Sequence, residues 1–353
     1  MAAGWGGAVE TDIGTVEPVP VLWLHKGYIP LGHVTVLDGD PAVGKSTVTL
    51  DYAARVSRGA TMPDDTPSDL SGPAGVVLLT CEDDVASTVR PRLDAAGADL
   101  SPGRITAITG ITDRTGTSQL PTLEHLTAIE DVMVAHGAKL LIVDPLMAYL
   151  PSRVDSHRDQ DVRRVLAKLK ALAERTGAAI LVVRHLNKAT PERGQQIKAM
   201  YRGAASIAIV ALVRSGLLIA ADPNDRARRI LAVVKANLVE EPPSLAYRIE
   251  KVGMSTRVQW LGPADLTADD LVNPYGPPRN LLQDAETFLA ARLYAGGEAV
   301  AVLEAEGAKL GLTPSTLRRA KDTLGVRSTK RGLQDGWNWE LPPERRPGGG
   351  NGA

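Results

Sequence analysis

The chain has 353 residues, of which 44 % are hydrophobic and 23 % are charged, as in an ordinary globular protein. Its 40 basic and 41 acidic residues nearly cancel, so only a local basic cluster can indicate a nucleic-acid partner. The single cysteine, Cys81, excludes a disulfide within the chain, and we expect it to be a small buried hydrophobic residue. With no signal peptide and no run of ~18 uncharged apolar residues, we expect a cytoplasmic protein without a membrane partner.

After a Gly- and Pro-rich arm at 1–20, strands and helices alternate. The apolar runs predict strands at 33–39, 75–81, 104–109, 138–145 and 178–185. Helical spacing predicts helices at 45–59, at 84–99 with Pro91 inside, at 120–137 and at 159–177. Strands with little helix between them then continue to residue 261. This order predicts an α/β fold with a mainly parallel sheet, extended at one edge by antiparallel strands.

Proline and acidic residues become frequent at 262–278, which we interpret as a linker. The sequence therefore divides into an arm at 1–20, a large domain at 21–261 and a small unit at 279–341. From its composition we expect the tail at 342–353 to be disordered.

The segment "GDPAVGKST" follows the first strand and precedes the first helix, which is the context of a phosphate loop. We expect Gly39 and Gly44 to adopt conformations that turn backbone N–H groups toward phosphate oxygens. Lys45 reaches the β- and γ-phosphates of ATP, and the Ser46 hydroxyl is a ligand of Mg²⁺. The predicted ATP-binding residues are Gly39, Asp40, Pro41, Ala42, Val43, Gly44, Lys45, Ser46 and Thr47.

A second acidic element ends the buried strand "LLIVD", where Asp144 is expected to hold Mg²⁺. The alternative is a carboxylate that simply leaves the sheet. Pro145 follows, so no second acid stands beside Asp144 to activate water.

Three acids follow the second strand in "LLTCEDD", residues 78–84. In a RecA-like layout this strand ends beside the γ-phosphate, where a glutamate can orient and deprotonate the attacking water. We assign that role to Glu82. Asp84 is a candidate helix N-cap and Asp83 has no assigned role. The alternative is that all three acids form a solvated strand exit.

Four segments together resemble the RecA-like ATPases of the plasmid RepA type, small hexameric replicative helicases with phage and actinobacterial AAA relatives. In chain order they are "GDPAVGKST", "LLTCEDDVASTVRPRLDAAGADL", "LLIVDP" and "LVVRHLNKA". The likeness covers about residues 20–260. The phosphate loop is generic, and the strand–Glu-Asp–helix segment is more distinctive. The resemblance implies a RecA-like P-loop NTPase fold, a homo-hexamer and Mg-ATP, with a primase or replication initiator as a partner.

Carried over by position, the resemblance makes Glu82 the catalytic glutamate, Asp144 the magnesium-side aspartate and His185 a γ-phosphate sensor. The alternative for His185 is a strand-end histidine bonded to backbone. Arg214 is the candidate arginine that completes a neighbouring subunit's site, with Arg202 as runner-up and a surface arginine as the alternative.

The segment after His185, at 187–201, is polar and lacks helical or strand periodicity. In a RecA-like ring such a loop lines the central channel. The predicted contacts with single-stranded DNA are Lys188, Arg193 and Lys198 in this segment and Arg202 directly after it. The alternative is an ordinary surface loop.

The small unit reads as three helices and a two-stranded hairpin, and it resembles a winged helix. Helices are predicted at 281–293 and 299–311, and a third opens at Pro314 with Thr313 as its N-cap. Residues 313–333 hold six basic residues and one acid. The predicted DNA contacts are Arg318, Arg319 and Lys321 on the third helix, with Arg327, Lys330 and Arg331 in the hairpin. We expect Trp337 and Trp339 to pack the wing; the alternative is a protein-binding unit.

The sequence thus predicts a Mg-ATP-dependent ATPase that acts on DNA as a hexameric helicase of a plasmid, phage or integrated element. One alternative is a DNA-bound regulatory ATPase that switches state without translocating. Another is an assembly factor whose winged helix binds protein. A metabolic kinase is a distant alternative, since a winged helix has little use there.

Overall fold

A computed structural model of the protein describes residues 10–113, 115–151, 159–186, 213–272, 281–294, 296–310, 312, 314–330 and 337–342. These residues form two compact units that divide near Pro274. Residues 10–20, the described part of the predicted arm, are exposed and contain one 3₁₀ turn at Ile13–Thr15.

The first unit is built on a nine-stranded sheet. Its strands are β1 (Val34–Gly39), β2 (Gly75–Thr80), β3 (Ile105–Ala107), β4 (Ala138–Asp144), β5 (Ala179–His185), β6 (Ser215–Ala221), β7 (Arg229–Ala236), β8 (Ser244–Val252) and β9 (Ser255–Ala264). They lie in the order β9-β8-β7-β6-β1-β5-β4-β2-β3. From β6 to β3 all neighbours are parallel, and β7, β8 and β9 extend the β6 edge antiparallel. The predicted fold class is confirmed.

Helices cover both faces of this sheet. The described helices of the unit are α1 (Lys45–Arg58), α2 (Arg90–Ala95), α3 (Leu126–Ala135), α4 (Asp159–Thr176) and α5 (Ala268–Val272). Successive strand residues point to opposite faces, so Leu78 and Ile142 join the core under α1 and α2, whereas Leu79 and Val143 join the core under α3 and α4. A π-helical turn, Val85–Val89, precedes α2, so the irregularity expected near Pro91 lies just before that residue.

Three predictions are corrected by the element boundaries. β2 ends at Thr80, so Cys81 lies beyond the strand and is exposed, and it is not a buried residue. The helix predicted at 120–137 begins only at Leu126. The predicted linker at 262–278 begins inside β9 and then contains α5, which buries Ala268, Leu271 and Val272. Those apolar side chains pack the segment against β6 and β7 despite its proline and acid content.

A buried ion pair joins β1 to β5 at the centre of the sheet. Asp38 and Arg184 are direct register partners and are 7 % and 3 % exposed. The guanidinium donates two hydrogen bonds to the carboxylate, from Nε to Oδ1 at 2.8 Å and from NH2 to Oδ2 at 2.7 Å. This fork is the strongest common geometry of an ion pair, and it also fixes the register of the two strands. Asp38 directly precedes Gly39, the first residue of the phosphate loop, and Arg184 directly precedes His185.

The second unit packs three helices against a three-stranded sheet. The helices are α6 (Leu281–Leu293), α7 (Val300–Lys309) and α8 (Pro314–Leu324), and the strands are β10 (Glu298–Ala299), β11 (Arg327–Lys330) and β12 (Trp337–Glu340). The sheet order is β10-β12-β11. The core contains Leu289, Leu303, Leu317 and Trp339. The three helices agree with the predicted ones, β10 was not predicted, and the proposed N-cap Thr313 lies outside the described residues.

We predict that Arg184→Met destabilises the protein by about 3–5 kcal/mol, because Asp38 is left as a buried charge without its partner. The double variant Asp38→Leu/Arg184→Met is expected to recover most of that loss, since both charges then leave the interior. Denaturant unfolding of the wild type, both single variants and the double variant gives the coupling free energy. Additive losses would show that the pair does not act as a unit.

Candidate active site

The phosphate loop is set by local backbone conformation at the start of α1. Gly44 is the N-cap residue of α1 with φ 93°, a left-handed conformation that favours glycine, and Ala42 also has a positive φ of 62°. The first N–H groups of α1 therefore point into the loop, where a phosphate gains both hydrogen bonds and the positive end of the helix dipole.

The reason for glycine at position 39 differs from the predicted one. Gly39 does not have a positive φ; instead, a Cβ there would lie 2.6 Å from the Ile219 carbonyl oxygen of the adjacent strand β6. A side chain would push β1 away from β6, so Gly39 allows close approach of two strands.

Strand β8 supports the loop from outside. The Tyr247 hydroxyl donates a hydrogen bond of 3.1 Å to the Val43 carbonyl oxygen. A Cβ built on Gly44 would lie 2.3 Å from Ile249 Cδ1. Sequence reasoning predicted the strand but missed both contacts, because two hundred residues separate their partners. Burial raises the pKa of Tyr247, so its hydroxyl stays protonated and able to donate.

Lys45 is held inside the loop. Its Nζ donates to the carbonyl oxygens of Gly39 at 2.9 Å and Asp40 at 2.8 Å, and the residue is 5 % exposed. Burial lowers the pKa of Lys45, while the charges of Asp144, Glu82 and other nearby acids act against that shift. The surrounding carboxylates therefore favour the charged ammonium against the cost of burial.

Ser46 and Asp144 meet at the carboxyl end of the sheet, as predicted for a magnesium site. Asp144 is 8 % exposed and accepts a hydrogen bond from the Ser46 hydroxyl. Burial raises the pKa of the Asp144 carboxyl, and the charges of Glu82 and Asp83 raise it further; the Ser46 hydrogen bond and Lys45 oppose the shift. A cation beside Asp144 would therefore stabilise its ionised form.

Glu82 and His185 stand at the open side of the same site. His185 Nε2 lies 3.8 Å from Glu82 Oε2, and the side chains are 43 % and 59 % exposed, respectively. His185 Nδ1 lies 3.1 Å from Lys45 Nζ. A charged lysine can only donate, so Nδ1 accepts and the ring proton of neutral His185 is assigned to Nε2, facing Glu82. Lys45, His185 and Glu82 thus lie in one polar row, in which His185 is hydrogen-bonded to Lys45 and lies near Glu82 without a direct hydrogen bond to it.

The other two acids of "LLTCEDD" have separate structural roles. Asp83 pairs with Arg92 on α2, with 2.5 Å between Oδ2 and NH1, and it lines a small cavity together with Ser46 and Asp144. Asp84 caps the following turn by accepting from the Ser87 backbone N at 2.8 Å. These hydrogen bonds lower the pKa of Asp84. Glu82 is thus left as the acid of this trio that faces His185.

Several predicted functional residues do not belong to this cluster. Arg214 is exposed and directly precedes the amino end of β6, whereas the phosphate loop follows the carboxyl end of the parallel strand β1. Lys188, Arg193, Lys198 and Arg202 lie outside the described residues. Conversely, sequence reasoning missed the Asp38–Arg184 pair, although a charge near the end of each of two buried strands was a usable signal that the strands are neighbours.

The AAA domain family model matches residues 7–191, which is just over half of the chain. The chain belongs to the AAA domain family. The KaiC-like protein PH0186 from the hyperthermophilic archaeon Pyrococcus horikoshii OT3 is similar over 68 % of this chain and 100 % of that chain, with 17 % identity and a TM-score of 0.45. No curated protein matches the sequence. Membership of the AAA domain family, with this loop, makes the protein a P-loop ATPase and implies nucleotide binding, usually with Mg²⁺.

The donor set of this AAA domain fits that cofactor. Mg²⁺ usually takes one or two protein oxygen ligands and completes its shell with phosphate oxygens and water. Ser46 and Asp144 would supply the protein side of such a shell. Among the described residues, no three His, Cys, Asp or Glu side chains converge as a metal site of their own, and no helix there is long and apolar enough to cross a membrane.

We expect Glu82→Gln to retain ATP binding and to lose turnover by roughly 10²-fold or more, because the amide cannot accept a proton from water. Steady-state hydrolysis and equilibrium nucleotide binding measure the two effects. Asp84→Asn, at a capping acid two residues away, is the control with near-normal turnover. Near-normal turnover of Glu82→Gln would show that Glu82 is not the catalytic base and that it belongs to a solvated strand exit.

We expect Asp144→Asn to be inactive yet to melt at a higher temperature than the wild type near pH 7 without nucleotide. The raised pKa of Asp144 means that its contribution to stability is present at low pH and is lost as the pH rises through that pKa. Asparagine removes the unfavourable ionisation, so the difference in Tm should shrink toward about pH 4. Asp84→Asn, at an acid with a lowered pKa, should not raise Tm. A lower Tm for Asp144→Asn at pH 7 would contradict this reading.

Proposed function

We propose that this AAA-domain ATPase couples Mg-ATP hydrolysis to work on DNA as a hexameric replicative helicase of a plasmid, phage or integrated element. The second unit serves as a winged helix that contacts DNA. The catalytic roles are those of the polar row Lys45–His185–Glu82, with Ser46 and Asp144 on the magnesium side.

The observation that carries the DNA part of this proposal is a set of exposed cations on the second unit. Arg318 and Arg319 are exposed on α8, and Arg327 and Lys330 are exposed on β11, which follows α8 directly. A helix of this kind, preceded by α7 and a short turn, can enter a major groove while an adjacent hairpin contacts the backbone. Cations on both elements suit the phosphates that flank a groove.

The candidate DNA contacts are not equivalent. Arg319 and Lys330 make no ion pair among the described residues. Arg318 NH2 lies 3.5 Å from Glu304 on α7. Lys321 Nζ lies 5.8 Å from the centre of the Trp339 ring and is 22 % exposed, so it contributes to packing. Arg331 lies outside the described residues. Arg327, like Arg319 and Lys330, makes no ion pair among the described residues, so we assign the principal phosphate contacts to these three residues.

The position of Arg214 excludes a role in its own subunit's ATP site. Ser215 pairs with Thr35 and Ile219 pairs with Gly39, so Arg214 stands about 16 Å along the strand from the level of its own phosphate loop. An arginine at the amino ends of the strands is too far from its own phosphate loop, so it can stabilise transition-state charge only in another subunit's site. We infer that Arg214 acts in trans within a ring.

A second candidate is an ATPase that regulates or assembles a complex without translocating, with the second unit bound to a protein. Arg318 pairs with Glu304, and Lys321 lies over the Trp339 ring. These contacts favour the regulatory function, since fewer cations remain to bind phosphates. The two functions differ in whether DNA changes the rate of hydrolysis.

We expect single-stranded DNA to stimulate ATP turnover of the full chain and ATP to drive strand separation of a forked duplex. We also expect Arg319→Glu/Lys330→Glu to weaken binding and to reduce the slope of log K against log salt by about two. Hydrolysis assays, a strand-displacement assay and binding titrations over a salt series measure these effects.

The matched control is Lys309→Glu, a charge reversal at an exposed lysine near the C-terminal end of α7. It should leave the salt slope unchanged. If DNA does not change the rate of ATP hydrolysis and no strands separate, the helicase function is excluded. DNA binding without stimulation of hydrolysis would favour the regulatory ATPase.

A further inference from the structure

Two tryptophans of the second unit, two residues apart on β12, have opposite environments. Trp339 is 4 % exposed and belongs to the core, whereas Trp337 is 55 % exposed. The expectation that both pack the wing is therefore wrong for Trp337. Residues two apart on a strand share a face, so Trp337 lies on the same face of β12 as Trp339 but outside the core.

The surroundings of Trp337 are polar and basic. Lys330 on β11 is its direct cross-strand partner, and directly opposed residues have Cβ atoms about 5 Å apart. All four residues of β11 (Arg327, Ser328, Thr329 and Lys330) are exposed. An indole in these surroundings lies within reach of at least one cation.

This arrangement does not suit an apolar protein partner. Docking surfaces for proteins place their aromatic anchors within a desolvated apolar centre. On the face of β11 that is next to Trp337, Ser328 and Lys330 are exposed, and an apolar partner that buried them would leave those polar groups without hydrogen bonds. Charge complementarity instead favours a polyanion that also has a flat apolar surface.

A nucleotide has both properties. The indole offers a face on which a base can stack, and an adjacent ammonium can pair with the phosphate of the same nucleotide. Bases inside a duplex are already covered on both faces by their neighbours, so a protein aromatic on this surface can stack only on an unpaired base.

We propose that Trp337 and Lys330 form a contact site for an unpaired nucleotide, with the base stacked on the indole and its phosphate paired with the Lys330 ammonium. This inference rests on the proposed function for the presence of DNA and adds the class of DNA that the second unit binds. The second unit thus contacts single-stranded DNA through β11 and β12, in addition to any duplex contact through α8.

The test uses the full chain with oligothymidylate and with a blunt duplex of equal length, and it follows binding by anisotropy and tryptophan fluorescence. Trp337→Leu, which keeps an apolar side chain without a π-face, should lose roughly fivefold or more in affinity for oligothymidylate. Its affinity for duplex should stay close to that of the wild type. Trp337→Phe should retain the affinity for oligothymidylate and lose most of the fluorescence quenching.

Tyr294→Leu is the matched control, because Tyr294 is a similarly exposed aromatic of the same unit, at 58 %. It should bind both DNAs as the wild type does, and the Tm of all three variants should be unchanged. Wild-type affinity of Trp337→Leu for oligothymidylate would overturn the stacking site while leaving DNA binding intact. An equal loss for both DNAs would also overturn it. A wild-type chain that binds neither DNA would instead refute the proposed function.

Discussion

The ion pair between Asp38 and Arg184 is the interaction on which the geometry of the ATP site depends. Each partner lies one residue before a functional position, Gly39 in β1 and His185 in β5. Because the guanidinium fork holds both oxygens of the carboxylate, the two strand ends can neither slide nor twist apart without exposing a buried charge. Lys45 Nζ and His185 Nδ1 lie 3.1 Å apart at the strand ends that this pair holds in register.

Electrostatic balance in the site follows from how its charges are buried. Asp144 is held in an interior position where ionisation is unfavourable, and the charges of Glu82 and Asp83 add to that cost. Arg92 balances Asp83, and Lys45 provides a nearby positive charge. A magnesium ion carried in by the nucleotide would supply the missing positive charge, so cofactor binding and ionisation of Asp144 favour each other. The protein thereby couples occupancy of the site to its catalytic charge state.

Sequence reasoning succeeded where chemistry is encoded locally and failed where partners are distant. The phosphate loop, Ser46 and Asp144 follow from short patterns that need a strand before and a helix after. The contacts of Tyr247 and Ile249 with the loop could not be predicted, because they depend on where β8, separated from β1 in the sheet by two strands, lies relative to the loop. The burial of α5 was missed for a related reason: its composition is that of a linker, but its apolar residues fall on one helical face. The roles of Asp83 and Asp84 likewise required knowledge of where Arg92 and Ser87 lie.

The two tryptophans of β12 show where folding and function separate in the second unit. Trp339 belongs to the core, and the Lys321 ammonium lies over its ring, so this tryptophan serves packing. Trp337 lies on the same strand face yet extends beyond the core, and its neighbours on β11 are polar and exposed. The exposed part of the Trp337 indole does not contribute to folding stability the roughly 25 cal/mol that each Å² of buried apolar surface provides. A side chain that the fold does not use, placed beside a lysine that pairs with no acid among the described residues, is best explained by a ligand that meets both groups at once.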